Sequence, residues 1–230
     1  MENIHNVTIV SRNFGIFSDR MEAGRFLADE LKFYKDSQAV VLGIPRGGVV
    51  IAAEIARGLL LPLDMIFSRK IGAPGHPEYA IGAMSEDGEV YLNDEAIAQW
   101  QIGQDYIIGR QNRQRLEIQR LSSLFRQFYP KVPVENRIVI LTDDGVATGA
   151  TMQAALWSLI HEHPHRTVVA LPVGTEQALT ELAKDADEVI CLNVPESFSG
   201  VGQFYQNFAQ VSDEDVASIL RSASRKGKQA

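Results

Sequence analysis

Short apolar runs alternate with helical patterns along most of this chain, and that alternation constrains the fold more than any other feature. Ala39 to Ile44 is an apolar run ending at Pro45-Arg46-Gly47-Gly48, Val49 to Leu61 follows in helical spacing, and Leu63 to Ser68 is a second apolar run. The order is strand, glycine turn, helix, strand. Parallel neighbours need a crossover and a helix is the usual one, so this unit predicts a parallel sheet with helices on its faces. The pattern recurs later, with strand-like runs at Ile138 to Leu141, Thr167 to Leu171 and Glu188 to Leu192 separated by helical patterns over Ala150 to Ile160 and Glu176 to Lys184. The expected class is therefore α/β, with a central, mainly parallel sheet flanked by helices.

Between these units the reading is less regular. The start is poorly defined until Asp19, which with Glu22 three residues on makes a capping-box-like opening for a helix stopping near Lys35. Gly72 to Gly88 is broken by Gly and Pro and reads as a long loop before a strand at Glu89 to Leu92. Asn93 or Asp94 can cap a helix running to about Tyr129, with Ile97, Ile107, Ile108, Leu116, Leu121 and Leu124 as its apolar stripe. Val194 to Val211 has aromatics, Gly and Asn without a period, and Ser212 or Asp213 would cap a short helix after it. Residues 222–230 read as a frayed, disordered tail behind a single domain spanning 1–221.

Composition narrows the function classes. The 230 residues are 45% hydrophobic, enough for a core without staples, and the single cysteine, Cys191, excludes an intramolecular disulfide. Twenty-two Lys and Arg against 29 Asp and Glu leave a net charge of −7, which argues against a broad nucleic-acid interface. The longest apolar stretch, Val49 to Phe67, is interrupted by Glu54, Arg57 and Asp64, and the first residues lack the basic and apolar regions of a leader. A cytoplasmic protein with no membrane partner is the expectation.

The chemistry concentrates at Val139-Ile140-Leu141-Thr142-Asp143-Asp144-Gly145-Val146-Ala147-Thr148-Gly149-Ala150-Thr151. Here a buried strand delivers two adjacent acids to its carboxyl end, where open parallel sheets bind ligands. The turn after them supplies small residues, the hydroxyls of Thr148 and Thr151, and a helix N-terminus whose amides and dipole suit a phosphate. Paired carboxylates can accept hydrogen bonds from vicinal sugar hydroxyls. Together they fit a phosphorylated ribose. At the end of the first core strand, Gly43-Ile44-Pro45-Arg46-Gly47-Gly48 lets backbone amides approach an anion, and Arg46 adds a permanent positive charge.

These thirteen residues resemble the 5-phosphoribosyl-1-pyrophosphate (PRPP) motif of type I phosphoribosyltransferases, and the resemblance extends with declining specificity from Ala39 to Val211. It implies that family's fold, with a C-terminal hood over approximately 193–211, and places Asp143 and Asp144 on the ribose 2′- and 3′-hydroxyls. Gly145, Val146, Ala147, Thr148, Gly149, Ala150 and Thr151 would hold the 5′-phosphate. Pro45, Arg46, Gly47 and Gly48 would form the pyrophosphate loop, in which the family often has a cis non-proline peptide, here Pro45-Arg46. Arg69 and Lys70 resemble its paired basic catalytic residues, with Gly72 to Gly88 as a mobile catalytic loop that closes to exclude water. Mg²⁺ is the implied cofactor, carried by PRPP with Asp143 and Asp144 as candidate ligands.

The acceptor is left open by the same comparison. Phe198, Phe204, Tyr205 and Phe208 fall in the hood, where an aromatic face can stack on a heterocycle at ~1–3 kcal/mol per base or simply pack the hood on the sheet; Phe198 is preferred for stacking. Gly145 replaces a bulky apolar residue. Gly82 stands where the adenine branch has its catalytic Glu, and Ala147 where 6-oxopurine enzymes carry an Asp; His76, Glu78 and Glu86 are candidate replacements. His161, His163 and His165 read as surface residues rather than a metal site, because Pro164 breaks the helix between them. Arg110, Arg113, Arg115, Arg120 and Arg126 read as a solvated basic face, with a partner or dimer contact as the other reading.

The expected reaction is Mg²⁺-dependent transfer of 5-phosphoribose from PRPP to a small nitrogen nucleophile, releasing pyrophosphate, in a homodimer. Two other functions suit the same residues: a PRPP-sensing regulator without transfer chemistry, and a hydrolase or phosphorylase-like activity in which water or phosphate replaces the base.

Overall fold

The computed structural model describes residues 2–4 and 6–227, the side chains at 2–4, 77, 78 and 225–227 excepted. In chain order the elements are β1 (Glu2–Ile4), β2 (Val7–Ser11), α1 (Arg20–Glu30), β3 (Val40–Gly43), α2 (Gly47–Leu59), β4 (Leu63–Met65), β5 (Arg69–Ala73), β6 (His76–Met84) and β7 (Val90–Leu92). Then follow α3 (Asp94–Gln99), α4 (Gln104–Phe125), β8 (Ile138–Thr142), α5 (Ala150–Leu159), β9 (Arg166–Val173), α6 (Glu176–Leu182), β10 (Glu188–Asn193) and α7 (Asp213–Gly227).

The main sheet has the order β1-β2-β10-β9-β8-β3-β4. Six of its strands are parallel and β1 alone runs antiparallel. Alternate side chains supply two cores: Val41, Ile140, Val168 and Ile190 pack with α1, α2 and α7, whereas Val40, Leu42, Val139, Leu141, Val169 and Cys191 pack with α5 and α6. Burial on both faces is why these strands read as unbroken apolar runs. Asp19 caps α1 as its spacing suggests, accepting the Glu22 amide at 2.8 Å.

The structure corrects several sequence expectations. The undefined start contains β2, which extends the sheet by pairing in parallel with β10. Gly72 to Gly88, read as a mobile loop, instead lies largely in an antiparallel sheet, β5-β6-β7, that packs on α5. Gly82 serves close packing, since a Cβ there would sit 2.5 Å from the Tyr91 carbonyl oxygen, while Gly75 and Gly88 take φ +72° and +87° at turns, and Ile71, Ala73, Ile81 and Ala83 are fully buried. The strand expected over Leu63 to Ser68 ends at Met65, and Arg69 starts the second sheet.

The long helix is divided as well. Gln101 turns the chain with φ 51°, separating α3 from α4, and the buried residues of α4 are Ile107, Ile118, Leu121 and Phe125, with Ile108 and Leu116 exposed. Helix α7 continues through Gly227, past the expected start of the tail at Ser222, and residues 228–230 lie outside the described residues.

Candidate active site

From β3 the chain passes through α2 to β4 on one side, while β8, β9 and β10 build the other side. The strand order therefore reverses between β3 and β8, and the crevice outside their carboxyl ends is the topological switch point. Both loops singled out in the sequence converge there. The Ile44 amide donates to the Thr142 carbonyl at 3.0 Å. A Cβ on Gly48 would lie 2.8 Å from that same carbonyl oxygen, and one on Gly47 would collide with the Asp144 carboxylate. Only glycine permits this approach of the two loops.

The acids are held differently. Asp143 Oδ1 accepts the Asp144 amide at 2.8 Å. Burial, then the neighbouring Asp144 charge, pushes the Asp143 carboxyl well above the usual carboxylate range. Burial also raises Asp144, against the opposing charge of Arg20. Arg20 opens α1, and its Nε and Nη2 each lie 2.9 Å from Asp144 Oδ2. No sequence signal marks this pair, because its members are 124 positions apart.

Past the acids, Gly145 takes φ +151°, and a Cβ there would meet Val173 Cγ1 at 2.7 Å and Val201 Cγ1 at 2.9 Å. Those two valines fill the space that explains the missing bulky residue. The Val146 amide donates to the Val173 carbonyl at 3.0 Å, and Thr175 donates from its amide to Val146 and from its hydroxyl to Ala147 at 2.8 Å. Gly149, at φ +77°, then leads into α5, with Ala147, Thr148 and Thr151 exposed. The first-turn amides of α5 have no intrahelical acceptors and carry the positive end of its dipole, so the loop is suited to an anion.

On the β3 side the Pro45–Arg46 peptide is cis, at the position the sequence comparison indicated. The Arg46 guanidinium is exposed and lies 3.6 Å from Asp213 at the start of α7. Arg69 and Lys70 begin β5, opposite Met84 and Ala83, just past the carboxyl end of β4. Arg69 lies 3.5 Å from Glu117 of α4, which also binds Arg120 at 2.9 Å.

The hood clasps the acid loop. Tyr205 donates its hydroxyl to the Asp144 carbonyl at 2.7 Å, and Arg20 Nη1 donates to the Ala209 carbonyl at 2.9 Å. Phe204 and Tyr205 are buried, and Phe198 is half-buried against Phe204 with ring centroids 5.4 Å apart. Phe208 is more open, and the Arg20 guanidinium covers its ring at 3.9 Å.

Other candidates fall away from the crevice or into packing. Glu86 is nearly buried and bound to Arg126 and the Ser122 hydroxyl, each at 2.8 Å. Arg126 also binds the fully buried Asp64 at 2.8 Å, so it is no part of a solvated basic face. This network was not legible in the sequence. His76 packs edge-on against Trp100, and the Glu78 side chain lies outside the described residues. His161 and His163 line an open depression of about 400 Å³ with Lys131 and Glu162, at the amino ends of β8 and β9, opposite the crevice. Among the described residues, no group of three His, Cys, Asp or Glu side chains could hold a metal ion, and no helix is long and apolar enough to cross a membrane.

Residues 18–208 match the phosphoribosyl transferase domain family, a stretch that takes in both loops, the second sheet and the hood. The chain belongs to that family, and its sheets are those of the phosphoribosyltransferase-like α/β fold. Among solved structures it is similar to TT1426 of Thermus thermophilus, with 44% identity and a TM-score of 0.85 over 90% of this chain and 98% of that one. Two strains of Mycobacterium tuberculosis have relatives designated, provisionally and without a substrate, as phosphoribosyl transferases; each is 40% identical over 210 residues, covering 91% of this chain. The chain spans about half the length of these curated relatives, 47%.

Proposed function

We propose that this chain transfers 5-phosphoribose from PRPP to a small nitrogen nucleophile and releases pyrophosphate. The observation that carries the reading is the switch point itself, where Asp143 and Asp144 stand between the Gly43–Gly48 loop and the N-terminus of α5. The Gly145–Thr151 loop holds the 5′-phosphate through backbone amides and the Thr148 and Thr151 hydroxyls. Asp143 and Asp144 accept the ribose hydroxyls and stabilise a ribosyl centre with oxocarbenium character. Arg46, with Gly47 and Gly48, receives the pyrophosphate, and Arg69 and Lys70 add positive charge from β5. Phe198 is retained as a stacking residue for the acceptor, presented from the hood.

Mg²⁺ fits this donor set in one way only. Asp144 Oδ2 is engaged by Arg20 and Asp143 Oδ1 by an amide, which leaves no enclosed protein cage. That suits an ion held mainly by ligand oxygens and water, with the remaining oxygens of Asp143 and Asp144 as protein donors. Its chemistry there is neutralisation of the leaving pyrophosphate.

A second reading, a PRPP-sensing regulator, is favoured by the acid positions. Gly82 has no room for a side chain, Ala147 carries no carboxylate, and Glu86 is locked to Arg126. Calorimetric titration of PRPP with and without Mg²⁺ tests the site, using the Asp143→Asn/Asp144→Asn double variant as control. Binding lost in that variant supports it, and absence of binding by the folded wild type overturns it. A nucleobase screen for pyrophosphate release then separates enzyme from regulator, and ribose 5-phosphate formed without added base identifies hydrolysis. The proposal includes a homodimer, tested by sedimentation equilibrium.

A further inference from the structure

Arg20 lies outside every motif, yet its arm joins three distant parts of the chain. It is 9% exposed and projects from the first residue of α1. Two of its nitrogens bind one oxygen of Asp144 at 2.9 Å, a third binds the hood carbonyl of Ala209, and its guanidinium face lies 3.9 Å from the Phe208 ring centroid. The Asp144 backbone is fixed independently by the Tyr205 hydroxyl at 2.7 Å. A Cβ on Gly47 would meet Arg20 Nε at 2.9 Å, so the bare glycine leaves the passage this ion pair occupies.

We propose that Arg20 is a positioning residue that fixes the Asp144 carboxylate, commits its Oδ2 and presents Oδ1 to a sugar hydroxyl, thereby setting discrimination for a ribose with its hydroxyls in place. This rests on the reading of Asp144 as a ribose ligand. A carboxylate held before the ligand arrives loses little freedom on accepting a hydroxyl, whereas a loose one must be ordered by the ligand. The bonds of Arg20 run to Asp144 and the hood, not to Val146–Thr151, so its effect falls on hydroxyl recognition and spares phosphate binding.

The test compares ribose 5-phosphate with tetrahydrofurfuryl phosphate, which keeps the ring and phosphate but lacks both hydroxyls, by calorimetry on the full chain. The expected result is a wild type that prefers ribose 5-phosphate by tenfold or more. Arg20→Met and Asp144→Asn each reduce that ratio about tenfold, while affinity for the hydroxyl-free analogue stays within twofold. The double variant loses no more discrimination than Asp144→Asn, and Arg20→Lys restores part of the ratio lost in Arg20→Met. An Arg20→Met chain that discriminates as wild type does, or that loses the hydroxyl-free analogue as well, overturns the positioning role. A wild type with no preference, or with no binding, overturns the assignment of Asp144 itself, and a ratio lost in Asp144→Asn but kept in Arg20→Met overturns this proposal alone.

Discussion

Replacing Arg126 by Met isolates the energetic role of a largely buried cation that ties the turn of the second sheet to β4 of the first. Its side chain is 14% exposed and binds Asp64, 1% exposed, and Glu86, 10% exposed, at 2.8 Å each. Methionine keeps much of the aliphatic length and loses the guanidinium, whose carbon lies 5.3 Å from the Phe67 ring centroid, so the main change is two buried carboxylates left without their cation. Breaking such a pair costs about 3–5 kcal/mol. Asp64 would still accept the Met65 and Val132 amides at 2.8 Å, and Glu86 the Ser122 hydroxyl at 2.8 Å, which points to the lower end, about 3 kcal/mol at pH 7.5.

The pH dependence has a definite sign. Burial already raises the Asp64 carboxyl despite Arg126 beside it, and removing the guanidinium raises it further. A folded-state value above the unfolded one means stability that is full below the unfolded value, about 3.9, and lost as pH rises through the folded value. The deficit of Arg126→Met relative to wild type therefore shrinks on acidification from pH 7.5 to pH 5. Urea denaturation followed by circular dichroism measures it as a midpoint lowered by about 1 M or more, given slopes of about 1–3 kcal/mol/M. A loss below about 1 kcal/mol, or a deficit that grows toward acid pH, refutes the reasoning.

Asp143→Asn should raise the melting temperature at pH 8, by about 2–4 °C for each 1 kcal/mol relieved, because the raised Asp143 carboxyl makes its ionisation a growing penalty above the unfolded value. The gain narrows by pH 5, and a lower melting temperature at pH 8 would contradict the assignment. Gly145→Ala must accept φ +151° and approaches of 2.7 and 2.9 Å to Val173 and Val201, a combination costing about 2–5 kcal/mol in chemical denaturation. Val201→Ala in the same chain should recover part of it, and a neutral single variant would show that the loop relaxes freely. Cys191 is buried and its thiol is pushed up to about 12, so a disulfide reagent at pH 8 should label it only as the chain opens; prompt labelling of the folded protein would refute its burial.

The resemblance was carried by local features, and these were legible. Thirteen consecutive residues at the end of β8 form one strand, one turn and the start of one helix, so their geometry follows from neighbouring residues. The Gly72–Gly88 segment misled because Gly and Pro weaken local preference for any element, while Ile71, Ile81 and Ala83 are placed by packing against α3, α4 and α5. In α4 the apolar residues outnumber the buried ones, and packing against β5, β6 and α3 selects Ile107 over Ile108.

By itself, the sequence determined the parallel α/β architecture, the paired acids at a strand end and the phosphate-suited helix start, since each follows from periodicity or from residues within one turn. Tertiary structure alone decided that Arg20 clasps Asp144, that Arg126 joins Asp64 to Glu86, and that Gly82 can carry no acid. Those contacts join residues from 9 to 124 positions apart, where the folded path, and no local preference, fixes which side chains meet.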